Sequence, residues 1–380
     1  AVAGDPISNT ATLSYDVGGA NQVPIASPAA VFIEDRVINF TVAETAGTIG
    51  TTSAAPNSAA GVTFDVLSNS NAILDFSLTV VQDAGDNFDV AGVSYFLEDG
   101  TTPGYQAGED TVAVTFLDEV GIGAAVTVHV VGTTPISTAV SNGDVANITL
   151  VAQAAGGGTA TVQGADITND DNGNISPGGT ASDTADNAGA MDTVFNDAAG
   201  TLNSLGAADV ARNGQHSADD SITIASAELT VTKTSAALWD PVNLDSNPKS
   251  FPGAYVRYSI AIENAATATA SADLTTLSDI LVAELDLDPD LLDGVGAVPA
   301  ATNAVGDGIQ IVVTGSTRTV TSVFCTGAAD PDGCSYSGGA GGTISVNLAT
   351  ELVADAPNSY TAGELKPGET VTITFNVIVQ

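Results

Sequence analysis

Basic residues, histidine, cysteine and aromatic residues are all scarce in this sequence. Only 7 Lys and Arg stand against 45 Asp and Glu, which gives a formal net charge of −38. Nucleic acids and anionic lipid surfaces attract Lys and Arg, so this balance argues against both as partners. It favours cations as ligands, or a salty medium in which the self-repulsion of the chain is screened.

Long apolar runs and catalytic motifs are also missing. The sequence contains no stretch of about 18 or more apolar residues, so we predict no membrane insertion. Two His cannot supply the usual His-rich zinc site, and neither HExxH, a GxSxG elbow nor a P-loop occurs. We therefore predict that the protein is not an enzyme. A cleft that gathers His129 or His216 with carboxylates would speak against this prediction.

Alternating apolar residues are what the sequence does contain. Val256, Tyr258, Ile260 and Ile262 occupy every second position, the pattern of a half-buried β-strand. Leu229 to Thr234 alternates in the same way, and the Pro- and Gly-bearing segment between the two stretches predicts a loop. Similar stretches recur along the chain between Gly- and Asp-bearing turns, which indicates β-sandwiches.

The chain contains two related halves. FTVAET at 40–45 parallels LTVTKT at 229–234, and GVTFDVLSN at 61–69 parallels GAYVRYSIAIEN at 253–264. Repetition over this length predicts tandem domains. We divide the chain into an N-terminal arm (1–37), a first sandwich (38–155), an acidic loop-rich insert (156–226) and a second sandwich (227–380).

Four stretches of the second half have a nameable resemblance. LTVTKT, NPKSFPGA, VRYSIAIEN and LKPGETVTITFNVIV resemble the conserved-repeat domain of bacterial and archaeal cell-surface proteins, a family of unknown function. The resemblance covers 227–380 well and about 37–155 weakly. It implies tandem immunoglobulin-like β-sandwiches, an all-β fold, in an exported surface protein. The start Ala1-Val2-Ala3 would suit a mature exported chain or a trimmed one.

The insert is rich in oxygen-bearing side chains around glycine, which suits Ca²⁺. The spacing is not that of an EF-hand, because no Glu stands at the twelfth position. A solvated acidic loop is the alternative, and a short helix over 191–199 is also expected. The candidate Ca²⁺ ligands are Asp166, Asp170, Asp171, Asn172, Asn174, Asp186, Asp192 and Asp197.

The two cysteines, Cys325 and Cys334, are the only ones in the sequence. In an exported protein we expect them to form a disulfide that closes a short hairpin loop. A loop of this size contributes roughly 2 to 3 kcal/mol in the entropy model.

The N-terminal arm is predicted to contain one strand from Ile7 to Val17, a turn at Gly18 to Asn21 and a second strand at 29–33. An isolated hairpin is marginally stable in water, so its edges need a sheet to join. The arm would either supply the first strands of its own domain or add to an open sheet edge of the next subunit, as in donor-strand complementation. Side chains that would enter the neighbour are Ile7, Ala11, Leu13, Tyr15 and Val17.

These features predict a structural role at the cell surface. We expect an extracellular subunit that binds copies of itself head to tail in a pilus-like homopolymer, stabilised by Ca²⁺. The alternative is an adhesin, a binding module that recognises a glycan or a protein; a monomeric state and an exposed aromatic patch would favour it.

Overall fold

The computed structural model describes residues 2–45, 51–168, 188–201, 209–288, 308–326 and 332–380. Regular structure in these residues is almost entirely β-strand, which confirms the predicted all-β fold. The chain divides into two units, Ala1–Ile224 and Ala225–Gln380. Within the described ranges, no helix is long and apolar enough to cross a membrane.

The N-terminal arm is a β-hairpin that folds back on itself. β1 pairs with β6, β2 with β5 and β3 with β4, all antiparallel. Gly18 and Gly19 have φ of 60° and 85°, the left-handed conformation that a tight hairpin turn requires. The strands are β1 Pro6–Asn9, β2 Thr12–Leu13, β3 Asp16–Val17, β4 Ala20–Asn21, β5 Ile25–Ala26 and β6 Ala30–Ile33.

The predicted single strand from Ile7 to Val17 is wrong, because the cross-strand register slips between successive pairs. Ile7 faces Phe32, but Leu13 faces Ile25 and Val17 faces Ala20, so each slip interrupts the strand. β1 to β6 pair among themselves and join neither large sheet of the first unit. Among the described residues, the hairpin β1–β6 therefore does not supply the first strands of its own domain, whereas Arg36 and Val37 at the end of the arm pair with Thr193 and Val194 of the first unit.

The rest of the first unit is a β-sandwich. One sheet has the strand order β13-β12-β15-β10-β8 and the other β14-β11-β16-β18-β9. Phe64 and Phe76, from opposite sheets, are fully buried in the core, where the rings of Phe40 and Phe76 lie 4.7 Å apart. The strands are β7 Arg36–Ile38, β8 Phe40–Glu44, β9 Thr51–Ala54, β10 Ala59–Ser68, β11 Leu74–Gln82, β12 Ala91–Leu97, β13 Ala113–Val114, β14 Phe116–Val120, β15 Ala125–Thr133, β16 Val145–Gly156, β17 Thr193–Phe195 and β18 Gln215–Ile224.

Two strands of this unit come from the segment predicted as an insert. β18 pairs with β16 along its length, so the sandwich extends into 156–226. β17 pairs in parallel with β7, where a short helix was expected over 191–199. The helix prediction is wrong because Thr193 and Val194 are β-branched residues that complete a ladder with Arg36 and Val37.

The second unit is also a sandwich, with sheets of unequal size. The larger sheet has the order β19-β20-β29-β24-β25, with β23 also paired to β29, and the smaller has the order β22-β27-β26. Its elements are β19 Leu229–Trp239, β20 Tyr255–Asn264, β21 Ala272–Asp273, β22 Thr276–Ile280, β23 Leu285–Asp288, β24 Ile309–Thr314, β25 Ser322–Cys325, β26 Cys334–Tyr336, β27 Thr343–Asn347, helix α1 Leu348–Glu351, a 3₁₀ turn Ala356–Asn358, β28 Glu364–Leu365 and β29 Thr370–Val379.

The predicted disulfide between Cys325 and Cys334 is present, with 5.7 Å between the two Cα atoms. Cys325 ends β25 in the larger sheet and Cys334 begins β26 in the smaller one. The bond therefore ties the two sheets together at the core, where both sulfurs are buried, instead of closing a hairpin.

Candidate assembly surfaces

The hairpin β1–β6 exposes an unusual amount of apolar surface. Leu13 and Ile25 are directly opposite each other, and 62% and 56% of their surfaces are exposed. Asp16 is the only charged residue between Pro6 and Ile33. Ile7 is half-buried and Ala11 is exposed. Further exposed apolar side chains of the hairpin are Tyr15, Val17, Val23, Val31 and Phe32.

Hydrogen bonds fasten this hairpin to the first unit near its base. The amide of Ala3 donates to the carbonyl of Asn71 at 3.0 Å, and the amide of Ile33 donates to the carbonyl of Ala188 at 3.2 Å. Toward the tip, the amide of Gln22 donates to the carbonyl of Tyr15 within the hairpin. The distal half is therefore a ribbon with both faces open to solvent, a marginal arrangement for two strands alone.

Strand β19 forms the open edge of the larger sheet in the second unit. It pairs with β20 on one side and is terminal in the sheet order on the other. Val231 lies opposite the core residue Ile262, so its side chain points to the core side of the sheet. Even so, 63% of Val231 is exposed, and so is 45% of Leu229. The smaller sheet thus leaves the inner face of β19 uncovered at Leu229 and Val231, the start of the strand.

Lys233 is the single charged residue of β19. It lies opposite Ile260 and points to the same inner side as Val231. Its Nζ is 2.5 Å from Oδ2 of Asp279 on β22 and lies 4.6 Å from the centre of the Tyr258 ring. An inward-pointing charge is one device by which proteins protect sheet edges. The charge of Lys233 does not protect Leu229 and Val231, which lie at the start of the strand.

The loop that follows β19 is held by the buried carboxylate of Asp240. Its oxygens accept hydrogen bonds from the amides of Val242, Asn243 and Lys249 and from the side-chain amide of Asn243. Burial raises the pKa of Asp240, but the hydrogen bonds outweigh it and lower the pKa to about 2. The loop is therefore fixed by an ionised group at neutral pH.

We expect Asp240→Asn to destabilise the protein at pH 7 and to remove part of its acid sensitivity. Because the pKa of Asp240 is depressed in the folded state, its contribution is complete above the unfolded pKa and is lost as pH falls through the folded value of about 2. Thermal unfolding from pH 7 to pH 2 should show the two proteins converging below about pH 4. Asp245→Asn, an exposed residue of the same loop, is the control. A constant difference at every pH would contradict this role.

The predicted Ca²⁺ ligands are only partly described. Asp166 accepts a hydrogen bond of 2.5 Å from Ser77, and the amide of Asp192 donates to Asp35. Asp197 is buried and accepts from the amides of Asn213 and Gly214; burial raises the pKa of this carboxyl. Asp170, Asp171, Asn172, Asn174 and Asp186 lie outside the described residues. Ca²⁺ binding here stays a prediction.

Two carboxylate-bearing clusters do form in the described ranges, and neither contains a predicted ligand. One consists of Asp75, Asp118 and Glu119, and the other of Glu98, Asp110 and His129. In the first, the oxygens of Asp75 accept from the amides of Glu119 and Gly164, and Asp118 and Glu119 accept from the amides of Thr161, Gly158 and Thr159. These carboxylates therefore already hold the loop 157–164.

The chain has only distant similarity to known proteins. No family model matches the chain, and no curated protein matches it, so the resemblance to the conserved-repeat domain stays a prediction. The C-terminal domain of the Streptococcus pyogenes antigen I/II-family protein AspA is 11% identical over 91% of each chain, with a TM-score of 0.28. A chain of the chaperone–tip adhesin complex of CFA/I fimbriae is 9% identical over 90% of this chain and 78% of that one, with a TM-score of 0.17. These scores are too low to carry a functional argument.

Proposed function

We propose that this protein is the structural subunit of an extracellular cell-surface filament that grows head to tail by β-strand addition. The observation that carries the proposal is that one chain exposes both an apolar, nearly uncharged hairpin and a long open sheet edge. In the proposed contact, the hairpin of one copy pairs with β19 of the next through main-chain hydrogen bonds. Leu13 and Ile25 then cover Leu229 and Val231.

Hairpin and edge are two different surfaces, so their contact is heterologous. A contact of this kind leaves a free hairpin at one end of each growing chain and a free edge at the other. Growth then continues as an open filament unless the rotation between copies happens to close a ring.

Charge supports the choice of these two surfaces. Copies that each carry a net charge of −38 repel one another, and the repulsion is weakest where charged side chains are few. Asp16 is the only charge in the hairpin, and Lys233, paired with Asp279, is the only one in β19. Ca²⁺ bound at the acidic insert would lower the remaining repulsion and lengthen the filament.

Negative-stain electron microscopy of the full chain and of a chain lacking residues 1–33 tests the proposal, each with Ca²⁺ and with a chelator. Because strands β1–β6 join neither large sheet in the part of the chain that the structure describes, their removal should leave both sandwiches folded. We expect filaments from the full chain alone, and shorter ones in the chelator. Filaments from both proteins would show that the hairpin is not the donor.

Single particles from both proteins would reject the filament. The alternative would then be an adhesin, in which the exposed hairpin with Tyr15 and Phe32 contacts a different partner. Binding of the monomeric full chain, but not of the chain lacking 1–33, to a glycan or protein array would support that alternative.

A further inference from the structure

His129 lies on the central strand of one sheet of the first sandwich, on the face of the sheet that points away from the core. Its strand β15 runs between β10 and β12, and its neighbours Val128 and Val130 point into the core. Despite facing outward, His129 is 0% exposed. The connection 98–112 between β12 and β13 covers it, with the ring of Tyr105 centred 5.8 Å from the imidazole.

A glycine makes this cover fit. A Cβ at Gly61 of β10 would lie 2.7 Å from Cβ of Tyr105, closer than real side-chain contacts occur. Tyr105 therefore packs directly on the backbone of β10, where any larger residue would force it away. The imidazole is enclosed between the sheet below it and the connection above it.

The two ring nitrogens of His129 have different surroundings. Nδ1 lies 2.9 Å from the hydroxyl oxygen of Thr63. Nε2 is buried and has no hydrogen-bond partner among the residues that the structure describes. It points toward two carboxylates, at 3.6 Å from Oε2 of Glu98 and 3.8 Å from Oδ2 of Asp110.

These two distances are too long for hydrogen bonds, which between nitrogen and oxygen are about 2.7–3.2 Å. A protonated imidazole beside two carboxylates would form shorter, charge-assisted bonds of about 2.7–2.9 Å. Two ligands of one tetrahedral ion, each about 2.0–2.2 Å from it, stand about 3.3–3.6 Å apart. The 3.6 Å separation fits two ligands of one small ion, and the 3.8 Å separation is slightly longer.

Two further buried oxygens of the connection 98–112 lack a partner. Among the described residues, neither Oε1 of Glu98 nor Oε1 of Gln106 has a hydrogen-bond partner. Buried polar atoms are nearly always bonded. An ion that accepts lone pairs from nitrogen and oxygen would satisfy Nε2 of His129 and the carboxylate of Glu98 together.

The carboxylates are also held in position as metal ligands usually are. Oε2 of Glu98 accepts from the amide of Gly104 at 3.1 Å, and the carboxylate of Asp110 accepts from the amides of Gly100 and Gln106 at 3.3 Å and 2.5 Å. With Thr63 on the other ring nitrogen of His129, each candidate ligand has an outer partner that fixes its orientation.

We propose that His129, Glu98 and Asp110 bind one Zn²⁺ ion, which fastens the connection 98–112 to the sheet. A nitrogen donor with two carboxylates suits Zn²⁺, whereas Ca²⁺ takes six to eight oxygen ligands. A pocket of about 280 Å³ lined by Thr63, Glu98 and Gly104 lies beside this cluster. This site is separate from the acidic insert and independent of the filament proposal.

Titration of the full chain with Zn²⁺ tests the site, after bound metal has been removed with a chelator and the chelator has then been removed. We expect calorimetry to show one tight Zn²⁺ ion per chain above the weak background of an acidic surface. Binding should be at least about 100-fold weaker in His129→Gln and at least about tenfold weaker in Glu98→Gln and Asp110→Asn. Co²⁺ in place of Zn²⁺ should give the visible absorption of a four-coordinate ion in the wild type but not in His129→Gln.

Asp118→Asn, in the other carboxylate cluster, is the matched control and should bind Zn²⁺ like the wild type. Circular dichroism verifies that each variant is folded, and limited proteolysis between residues 98 and 112 should slow on Zn²⁺ addition in the wild type and the control. The proposal is overturned if the wild type has no tight site, if His129→Gln keeps it, or if equimolar Ca²⁺ displaces the Zn²⁺.

Discussion

Mixing a hairpin-blocked variant with an edge-blocked variant should give heterodimers and no filaments, although each variant alone stays monomeric. The hairpin-blocked protein is Leu13→Asp/Ile25→Asp, and the edge-blocked protein is Val231→Asp. In a head-to-tail contact the first variant retains a working edge and the second retains a working hairpin. One productive contact therefore forms per pair, and the chain then ends.

The expected effect is large because the substituted side chains are those the proposed contact buries. Full burial of a Leu, Ile or Val contributes about 1.5–3 kcal/mol relative to exposure. An Asp at the same place would have to leave water without a partner, which costs more than the apolar contact contributes. In the separate subunits the same residues are 62%, 56% and 63% exposed, so the substitutions should leave each fold intact.

Size-exclusion chromatography with light scattering, before and after mixing, measures the result, with electron microscopy to detect filaments. Ile136→Asp and Val353→Asp place the same change on exposed residues of the first and second unit outside both surfaces, and both should still polymerise. A mixture that remains monomeric, or single variants that form filaments, would show that the hairpin and β19 do not meet.

Alternation of apolar residues was sufficient to predict many strands from the sequence. Val256, Ile260 and Ile262 lie in β20 with their side chains in the core, as the period of two requires. The repeated stretch with Val62, Phe64 and Val66 forms β10 in the same way. In both strands the core-facing side is apolar up to its last residue, which is Ser68 in β10 and Asn264 in β20, so the apolar alternation was enough to identify both strands.

β18 shows where this reasoning failed. Its core-facing positions include the polar residues His216 and Asp220 as well as the apolar Ala218 and Ile222, so the apolar period is broken. Tertiary contacts replace it: Nδ1 of His216 accepts a 3.0 Å hydrogen bond from the amide of Val42 on the edge strand β8. Burial lowers the pKa of His216, which keeps this nitrogen free to accept. No local pattern contains that information.

The candidate sites differ in the same respect. Exposed residues of the arm, such as Leu13, lie within one short stretch of sequence. Their exposure could be predicted because an isolated hairpin has no sheet of its own to join. Glu98, Asp110 and His129 are brought together by a long connection that folds over the outer face of a sheet. The predicted list of cation ligands therefore missed them, and only the lone His between apolar residues of β15 offered a signal.

Asp220→Asn should stabilise the protein at pH 8 and change it little at pH 4. Asp220 is 4% exposed on the core-facing side of β18, and burial raises its pKa to about 7, with a further contribution from nearby Glu44. The folded chain therefore holds a proton that the unfolded chain releases above about pH 4. Between pH 4 and pH 7 the free energy of unfolding falls as pH rises.

Above pH 7 the folded protein contains a buried ionised carboxylate, and the Asn variant does not. Allowing for screening by solvent, we expect a gain of about 1–2 kcal/mol in unfolding free energy at pH 8. Urea unfolding at both pH values measures it. Asp219→Asn makes the same charge change one residue away, where the side chain accepts from Thr149, and should bring no gain.

The Asp219→Asn control separates two causes that would both raise the free energy of unfolding when a negative charge is removed. Relief of general repulsion in a chain of net charge −38 would stabilise both variants alike, whereas a buried carboxylate stabilises only the one at 220. Equal gains at both positions would assign the pH dependence to net charge alone. A gain confined to Asp220→Asn would mean that the first sandwich is most stable in mildly acidic surroundings, because a core-facing carboxyl is then protonated.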